Sequence, residues 1–264
     1  MFSLKDNIVF ITGASSGIGE ACAEQFARLG CHLILTARRK DKLNVLAHRL
    51  ISQYSINVLA IEMDVRDKQN VIDTINALTN DWKNIDVLVN NAGLALDSLP
   101  LQQGNLDHWD TMIQTNINGL LYVTHTIVNL MLPRKTGHII NISSVAGHQC
   151  YPTGNVYSAT KHAVRALSQS LRLDILGSGL RVTDIAPGAV NTEFSTVRWK
   201  DKEKADKFYA DFIPLVADDI ADAVVYCATR PLHVAIAEML IYPTDQASAN
   251  HLNRPGQQVK GMFD

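Results

Sequence analysis

Seven short runs rich in β-branched and aliphatic residues constrain this chain more than any other feature: NIVFIT, HLILTA, NVLAIEM, DVLVNN, HIINIS, RVTDIA and EMLIYP. Most are continuously apolar, so the strands they form must be covered on both faces. Helical periodicity fills most of the gaps between them. One example is GIGEACAEQFARLG, in which Gly30 suits the position just past a helix C-terminus. Strands that alternate with helices in this way build a mostly parallel sheet with helices on both faces. The expectation is an α/β fold: a single Rossmann-type, doubly wound domain over residues 1–264 with about seven strands.

Two segments break the rhythm. Residues 191–215 (NTEFSTVRWKDKEKADKFYADFIPL) lack a strand and are rich in charge and aromatic rings. A connection of that length in a compact domain is read as a substrate-binding lid, with KDKEKADK as the solvated face of a lid helix. The tail, residues 243–264, is irregular and is read as covering a neighbouring subunit or as mobile.

With 47% hydrophobic residues and a net charge of −2, the chain has material for a core and no global pull toward nucleic acid or an anionic membrane. The Arg38–Arg39–Lys40 cluster therefore needs a local explanation. Cys22, Cys31, Cys150 and Cys227 form no C-x-x-C pair, no histidine spacing near them suggests zinc, and no metal is expected. They read as reduced thiols. The N-terminus enters a strand almost at once, and no apolar run approaches the ~20 residues of a membrane span. A cytoplasmic location is expected.

The first run leads directly into T-G-A-S-S-G-I-G, with Gly13, Gly17 and Gly19 between a strand and a helix. In that context backbone N–H groups and a helix N-terminus can face a dinucleotide pyrophosphate. The tip of the second strand then meets the adenosine ribose, at a distance of ~20 residues. A carboxylate there would accept from the 2′-hydroxyl of NAD, but the tip reads Thr36-Ala37-Arg38-Arg39. A guanidinium can bind a 2′-phosphate with two charge-assisted hydrogen bonds, so the tip favours NADP. The alternative is that these cations merely open the second helix.

Further along, Tyr157 and Lys161 stand four apart in a helical stretch and so share a face. A phenol with a normal pKa near ~10 needs its anion favoured by ~4 kcal/mol to work as an acid–base at neutral pH, and neighbouring positive charge does this. Ser143 and Ser144 end the fifth strand, Asn90 to Gly93 end the fourth, and Asn116 interrupts an otherwise apolar helix, where it must find partners or mark a kink held by water. Strand C-termini are where such sheets hold ligands.

These residues, in this order, together with Pro187-Gly188-Ala189-Val190-Asn191-Thr192, resemble the short-chain dehydrogenase/reductase family from about residue 5 to residue 245. The resemblance implies that Tyr157 is the proton donor and acceptor. Lys161 would bind the nicotinamide ribose and lower the Tyr157 pKa. Ser144, which the family spacing favours over Ser143, would hold the substrate oxygen, and Asn116 would keep a relay water. It implies a cofactor site of Gly13, Ser15, Ser16, Gly17, Ile18, Gly19, Arg38, Arg39, Asp64, Val65, Asn91, Ala92, Gly93, Tyr157, Lys161, Pro187, Gly188, Val190 and Thr192. Ser16 departs from the basic residue that many NADP-preferring members carry there, which leaves Arg38, with Arg39, as the phosphate contact.

Longer stretches such as GNVYSATKHAVRALSQSLRLDI and RVTDIAPGAVNTEFSTVR are similar to the NADP-dependent 3-hydroxy acid (serine or L-allo-threonine) dehydrogenases. That implies oxidation at the 3-hydroxyl carbon of short 3-hydroxy acids, the 3-hydroxypropionate type among them, by a homotetramer. An acid substrate needs a cation, and Arg198 of the lid is the candidate, unless it pairs with Asp201 or Glu203. The rivals are a broad ketone reductase of the same family and, from another class, a non-catalytic NADP-binding scaffold or sensor.

Overall fold

The computed structural model describes residues 3–254. All seven apolar runs form strands: β1 Ile8–Thr12, β2 His32–Ala37, β3 Val58–Glu62, β4 Ile85–Asn90, β5 Gly137–Ile142, β6 Leu180–Pro187 and β7 Glu238–Ile241. They make one parallel sheet in the order β3-β2-β1-β4-β5-β6-β7. The winding reverses between β1 and β4, so a crevice opens at their C-terminal ends, where the glycine turn and Asn90 to Gly93 lie.

The helices are α1 Gly17–Arg28, α2 Lys40–Tyr54, α3 Lys68–Asn76, α4 Leu106–Ile113, α5 Leu120–Met131, α6 Asn155–Asp174, α7 Glu193–Trp199, α8 Lys202–Tyr209 and α9 Ala217–Ala228. Alternate strand residues feed two cores. Val9, Ile11, Leu33 and Leu35 pack with Phe26 of α1, Leu43 of α2 and Val224 of α9. Phe10, Ile34 and Leu88 pack with Ile75 of α3 and Ile127 of α5. At ~25 cal/mol per Å2 of apolar surface removed from water, two-sided coverage is what makes these continuous runs stable as strands. Gly30 follows α1 with φ +77°, as its position after the last periodic residue required.

The segment 191–215 is largely helical. Thr192 caps α7 by accepting from the Phe194 N–H, and Asp201 caps α8 by accepting from the Lys204 N–H. Val190 and Leu215 close its base through a parallel bridge. Part of the tail is anchored. Gln246 is buried, and its side-chain oxygen accepts from the Ala189 N–H at 2.8 Å. Residues 255–264 of the tail lie outside the described part. No helix among the described residues is long and apolar enough to cross a membrane. All four cysteines are unpaired.

Candidate active site

The glycine turn is fastened to the end of β4. Thr12 Oγ1 accepts from the Asn91 and Ala92 N–H groups, each at 3.0 Å, and the Asn91 amide donates to the Thr12 and Gly13 carbonyls at 3.0 and 3.1 Å. Asn91 thus holds the turn closed from behind. A Cβ on Gly19 would lie 2.5 Å from both the Asn91 amide nitrogen and the Gly13 carbonyl. Gly13 has φ +65°, and its Cβ would lie 2.9 Å from the Ala92 Cα. Both positions need glycine for space, and Gly13 needs it for backbone conformation as well. The bare backbone, opening onto the start of α1, forms a cradle that fits a dinucleotide pyrophosphate.

The tip of β2 separates the two arginines. Arg38 is exposed and lies close enough to Asp64 to favour that carboxylate's charge. Arg39 folds back over the turn. It donates to Ser15 Oγ at 3.0 Å and Ser16 Oγ at 2.6 Å, and its third arm meets Glu193 at 2.8 Å. Lys42 also reaches Glu193, at 2.9 Å. The two cations, Lys42 foremost, hold the Glu193 carboxyl down to about 2. A cavity of about 350 Å3 lies beside this cluster, lined in part by Ser15, Ser16, Lys42 and Glu193. The serines, Arg39 and Lys42 offer the donors that a nucleotide 2′-phosphate needs.

The expected adenine end is at the close of β3. Asp64 is paired with Arg66 through both carboxylate oxygens, at 2.5–3.0 Å. Val65 is buried against Gly119, where a Cβ would come within 2.7 Å of it. At the opposite end, Pro187 finishes β6, the Gly188 N–H donates to Ile241 at 2.7 Å, and Val190 is buried. Thr192 lies against Gly17. Ile18 is half-buried on α1 and packs against the core of that face.

The structure brings the four expected residues Asn116, Ser144, Tyr157 and Lys161 close together. Tyr157 and Lys161 are buried on one face of α6, with the ammonium 5.8 Å from the phenol ring centre. Lys161 Nζ donates to the Ile142 carbonyl at 2.9 Å. Burial lowers its pKa to about 8, against the pull of Asp184. Ser144 and Ser143 differ. Ser143 is tied into the sheet through its N–H and hydroxyl, both directed at the Ile185 carbonyl. Ser144 caps the next turn by accepting from the Ala146 N–H at 3.1 Å and interacts with the Tyr157 phenol. Burial pushes the Tyr157 phenol well above its usual value, Tyr151 adds to this, and Ser144 and Arg198 pull it back. The protein alone therefore keeps this phenol protonated.

Asn116 sits in a π-helical segment, Gln114–Gly119, between α4 and α5. Its amide donates to the Leu94 carbonyl at 2.8 Å and to Thr160 at 3.0 Å, and its side-chain oxygen accepts from the Leu94 N–H at 2.9 Å. The break in the apolar helix is thus satisfied by protein groups. π-Turns widen the helix and release backbone groups, a feature frequent at functional sites. A Cβ on Gly93 would lie 3.4 Å from Asn116 Oδ1 and 3.5 Å from Lys161 Nζ, so this glycine is where the cofactor crevice meets both residues.

The segment 191–215 packs against this cluster. Phe194 packs on Tyr157 with ring centres 5.8 Å apart. Leu94, Ala95, Met112 and Ala146 complete an apolar wall around Tyr157. Arg198 enters that wall, 5.9 Å from the Tyr157 ring and 5.7 Å from the Tyr151 ring. Its Nε donates to the Asp97 carbonyl at 3.1 Å, and the Asp97 N–H returns a bond to the Arg198 carbonyl. Among the described residues it makes no ion pair with Asp201 or Glu203. Tyr151, Leu94, Met112 and Gln246 were not singled out from sequence. Only the aromatic Tyr151 gave a signal, and it was too common a residue to read.

A model of the short chain dehydrogenase family matches residues 7–203. The NADP-dependent 3-hydroxy acid dehydrogenase of Salmonella typhi is 45% identical over 244 residues, which span 92% of this chain and 97% of that protein. Sulfoacetaldehyde reductase 2 of Chromohalobacter salexigens is 43% identical over 243 residues, or 91% and 96% of the two chains. A closed form of serine dehydrogenase complexed with NADP+ superposes with a TM-score of 0.87 at 42% identity, covering 93% of this chain and 98% of that one. With the glycine cradle, Ser144, Tyr157 and Lys161 assembled at the sheet's switch point, this chain belongs to the short-chain dehydrogenase/reductase family, the oxidoreductases that act on CH–OH groups.

Proposed function

We propose that this protein is an NADP-dependent dehydrogenase that transfers hydride between NADP and the 3-hydroxyl carbon of short 3-hydroxy acids of the serine, L-allo-threonine and 3-hydroxypropionate type. One observation carries the acid specificity: the Arg198 guanidinium enters an otherwise apolar wall beside Tyr157. A carboxylate at that point would meet a planar double donor in a largely dry setting, where a charge-assisted pair is strongest. The cofactor preference rests on Arg39, Ser15 and Ser16, the absence of an acid at the end of β2, and the NADP dependence of the relatives.

NADP, when bound, would supply the hydride acceptor and, in its oxidised form, a positive charge that favours the phenolate. The chain's own residues do the rest. Ser144 holds the substrate oxygen. Tyr157 takes the alcohol proton in oxidation and returns it in reduction. Its phenolate must be favoured by ~4 kcal/mol for this at neutral pH, and burial works against it. The Lys161 ammonium supports the anion, and a water that Asn116 would keep beside Lys161 would pass the proton on to solvent. Asp64 and Val65 would border the adenine, while Asn91, Ala92 and Gly93 would line the crevice floor. Pro187, Gly188, Val190 and Thr192 would hold the nicotinamide end. We place the enzyme in a reducing, cytoplasmic setting, given four unpaired thiols, and assign it a homotetramer, given exposed Leu121, Leu173 and Leu176 on α5 and at the end of α6.

The apolar wall also favours a second reading, reduction of neutral ketones. Initial rates with L-serine, L-allo-threonine, 3-hydroxypropionate and a neutral secondary alcohol, each with NADP and NAD, separate the two. Arg198→Ala is expected to lower kcat/KM for the acids at least tenfold and to leave the neutral alcohol within twofold. Equal losses, or none, would remove Arg198 as the carboxylate partner.

A further inference from the structure

Behind Lys161, on the side of the sheet covered by α6, three side chains with metal-ligating atoms converge outside the catalytic pocket. Asp184 lies in the middle of β6, Glu238 begins β7 directly beside it in register, and His148 follows the short turn after β5. One ligand atom from each lies within 4.8 Å of the other two. His148 Nε2 and Glu238 Oε1 are 3.2 Å apart. An ion with bonds of ~2.1 Å separates tetrahedral ligand atoms by ~3.4 Å, so that edge is already close to the required geometry.

The carboxylate of Asp184 distinguishes this cluster from an ordinary ion-pair network. The residue is 2% exposed, and neither of its carboxylate oxygens has a hydrogen-bond partner. His148 Nε2 is likewise buried, and it faces the Glu238 carboxylate at 3.2 Å. The Ser143 hydroxyl lies within reach of Asp184 and favours its charge, but it is directed at the Ile185 carbonyl, 3.3 Å away, which leaves the carboxylate without a firm donor. Arg165 Nε donates to Glu238 Oε1 at 2.6 Å, which fixes the Glu238 side chain and neutralises one of the two carboxylates. A buried carboxylate without partners costs several kcal/mol unless a charge or donors meet it.

We infer that His148, Asp184 and Glu238 form a binding site for a divalent transition-metal cation of the zinc class. One imidazole and two carboxylates make a borderline nitrogen–oxygen donor set, which suits zinc better than magnesium or calcium. The ion would bridge β6, β7 and the turn after β5, and would give Asp184 the partner it lacks. The sequence contained no sign of such a site, because its ligands come from three separate elements and no short-range spacing joins them.

The test is calorimetric titration of zinc chloride into the untagged full-length protein after removal of metal with a chelator. The expected result is one equivalent bound per chain, with affinity reduced at least tenfold by His148→Gln and by Asp184→Asn. His148 is half-buried in a turn, so His148→Gln tests the site through a second ligand, independently of Asp184→Asn. Exposed Cys150 is the obvious competitor for zinc, and Cys150→Ser is expected to leave binding unchanged. No stoichiometric uptake by the wild type would overturn the site. So would uptake that survives His148→Gln, or uptake that is lost in Cys150→Ser.

Discussion

Replacing Asp184 with asparagine is expected to stabilise the protein near neutral pH and to do so in proportion to the charge it removes. The carboxyl is almost completely buried on the α6 side of β6. Burial raises its pKa from 3.8 to about 6, and the Glu238 carboxylate pushes the same way, while the Ser143 hydroxyl foremost, then Lys161 and Arg165, oppose them. His148, from the turn after β5, is the remaining titratable neighbour. The folded carboxyl therefore holds its proton to higher pH than the unfolded one. Stability from that proton is fully present below pH ~4 and is lost as pH rises through about 6. A rise of this size, at ~1.36 kcal/mol per unit, comes to about 3 kcal/mol at pH 7 and above. Asparagine mimics the neutral acid, so its advantage over the wild type should be near zero at pH 4 and grow to ~3 kcal/mol by pH 7. Urea unfolding followed by tryptophan fluorescence, in chelator at intervals from pH 4 to pH 8, measures that difference directly. A difference that stays flat with pH, or an asparagine variant less stable at pH 7, would refute the reasoning.

The other expectations concern the pocket and the cradle. Tyr157→Phe should lower kcat at least a thousandfold while leaving NADPH binding, read by fluorescence titration, within a few-fold; retained turnover would reassign the acid–base. Arg39→Ala should raise KM for NADP tenfold or more and leave the weak rate with NAD unchanged, since charge-assisted bonds contribute ~1.5–3 kcal/mol; a larger effect from Arg38→Ala would give the phosphate to that residue instead. Gly19→Ala puts a methyl 2.5 Å from the Gly13 carbonyl, so it should cost ~1–3 kcal/mol and abolish tight NADP binding; a variant with wild-type stability and affinity would show that the turn yields.

The sheet was legible because its signal is periodic and repeated. Each continuous apolar run became a strand, and the positions of the helices between them left parallel connections as the simplest solution. Glycine chemistry marked one helix end, at Gly30. The interruption of 107–131 was legible only in part. Asn116 announced a polar group in an apolar helix, but not the π-helical segment or the Leu94 backbone that satisfies it, since those partners lie more than 20 residues upstream. The same limit hid the cluster around Asp184. A carboxylate stands in the middle of RVTDIA, a visible anomaly in a buried strand, but Glu238 and His148 are joined to it only by sheet register.

Arg38 and Arg39 show how local geometry decides what motif reading leaves open. β2 ends at Ala37, so the alternation of faces that assigns side chains within a strand stops just before both arginines. Arg38 stays exposed near Asp64. Arg39 is the residue from which α2 starts, with φ −94° and ψ +83°, and from there its guanidinium folds back across Ser15 and Ser16. Glu193 takes its remaining arm and joins the lid to the same cation. A 2′-phosphate arriving between Arg39 and Lys42 would repel the Glu193 carboxylate and compete with it for both cations. On that reading, cofactor binding and the seating of α7 over Tyr157 would be coupled through one side chain, Glu193. Glu193→Gln should weaken that competition, so NADP is expected to bind this variant more tightly, with the gain shrinking as salt is raised. Unchanged affinity at low salt would show that the two events are independent.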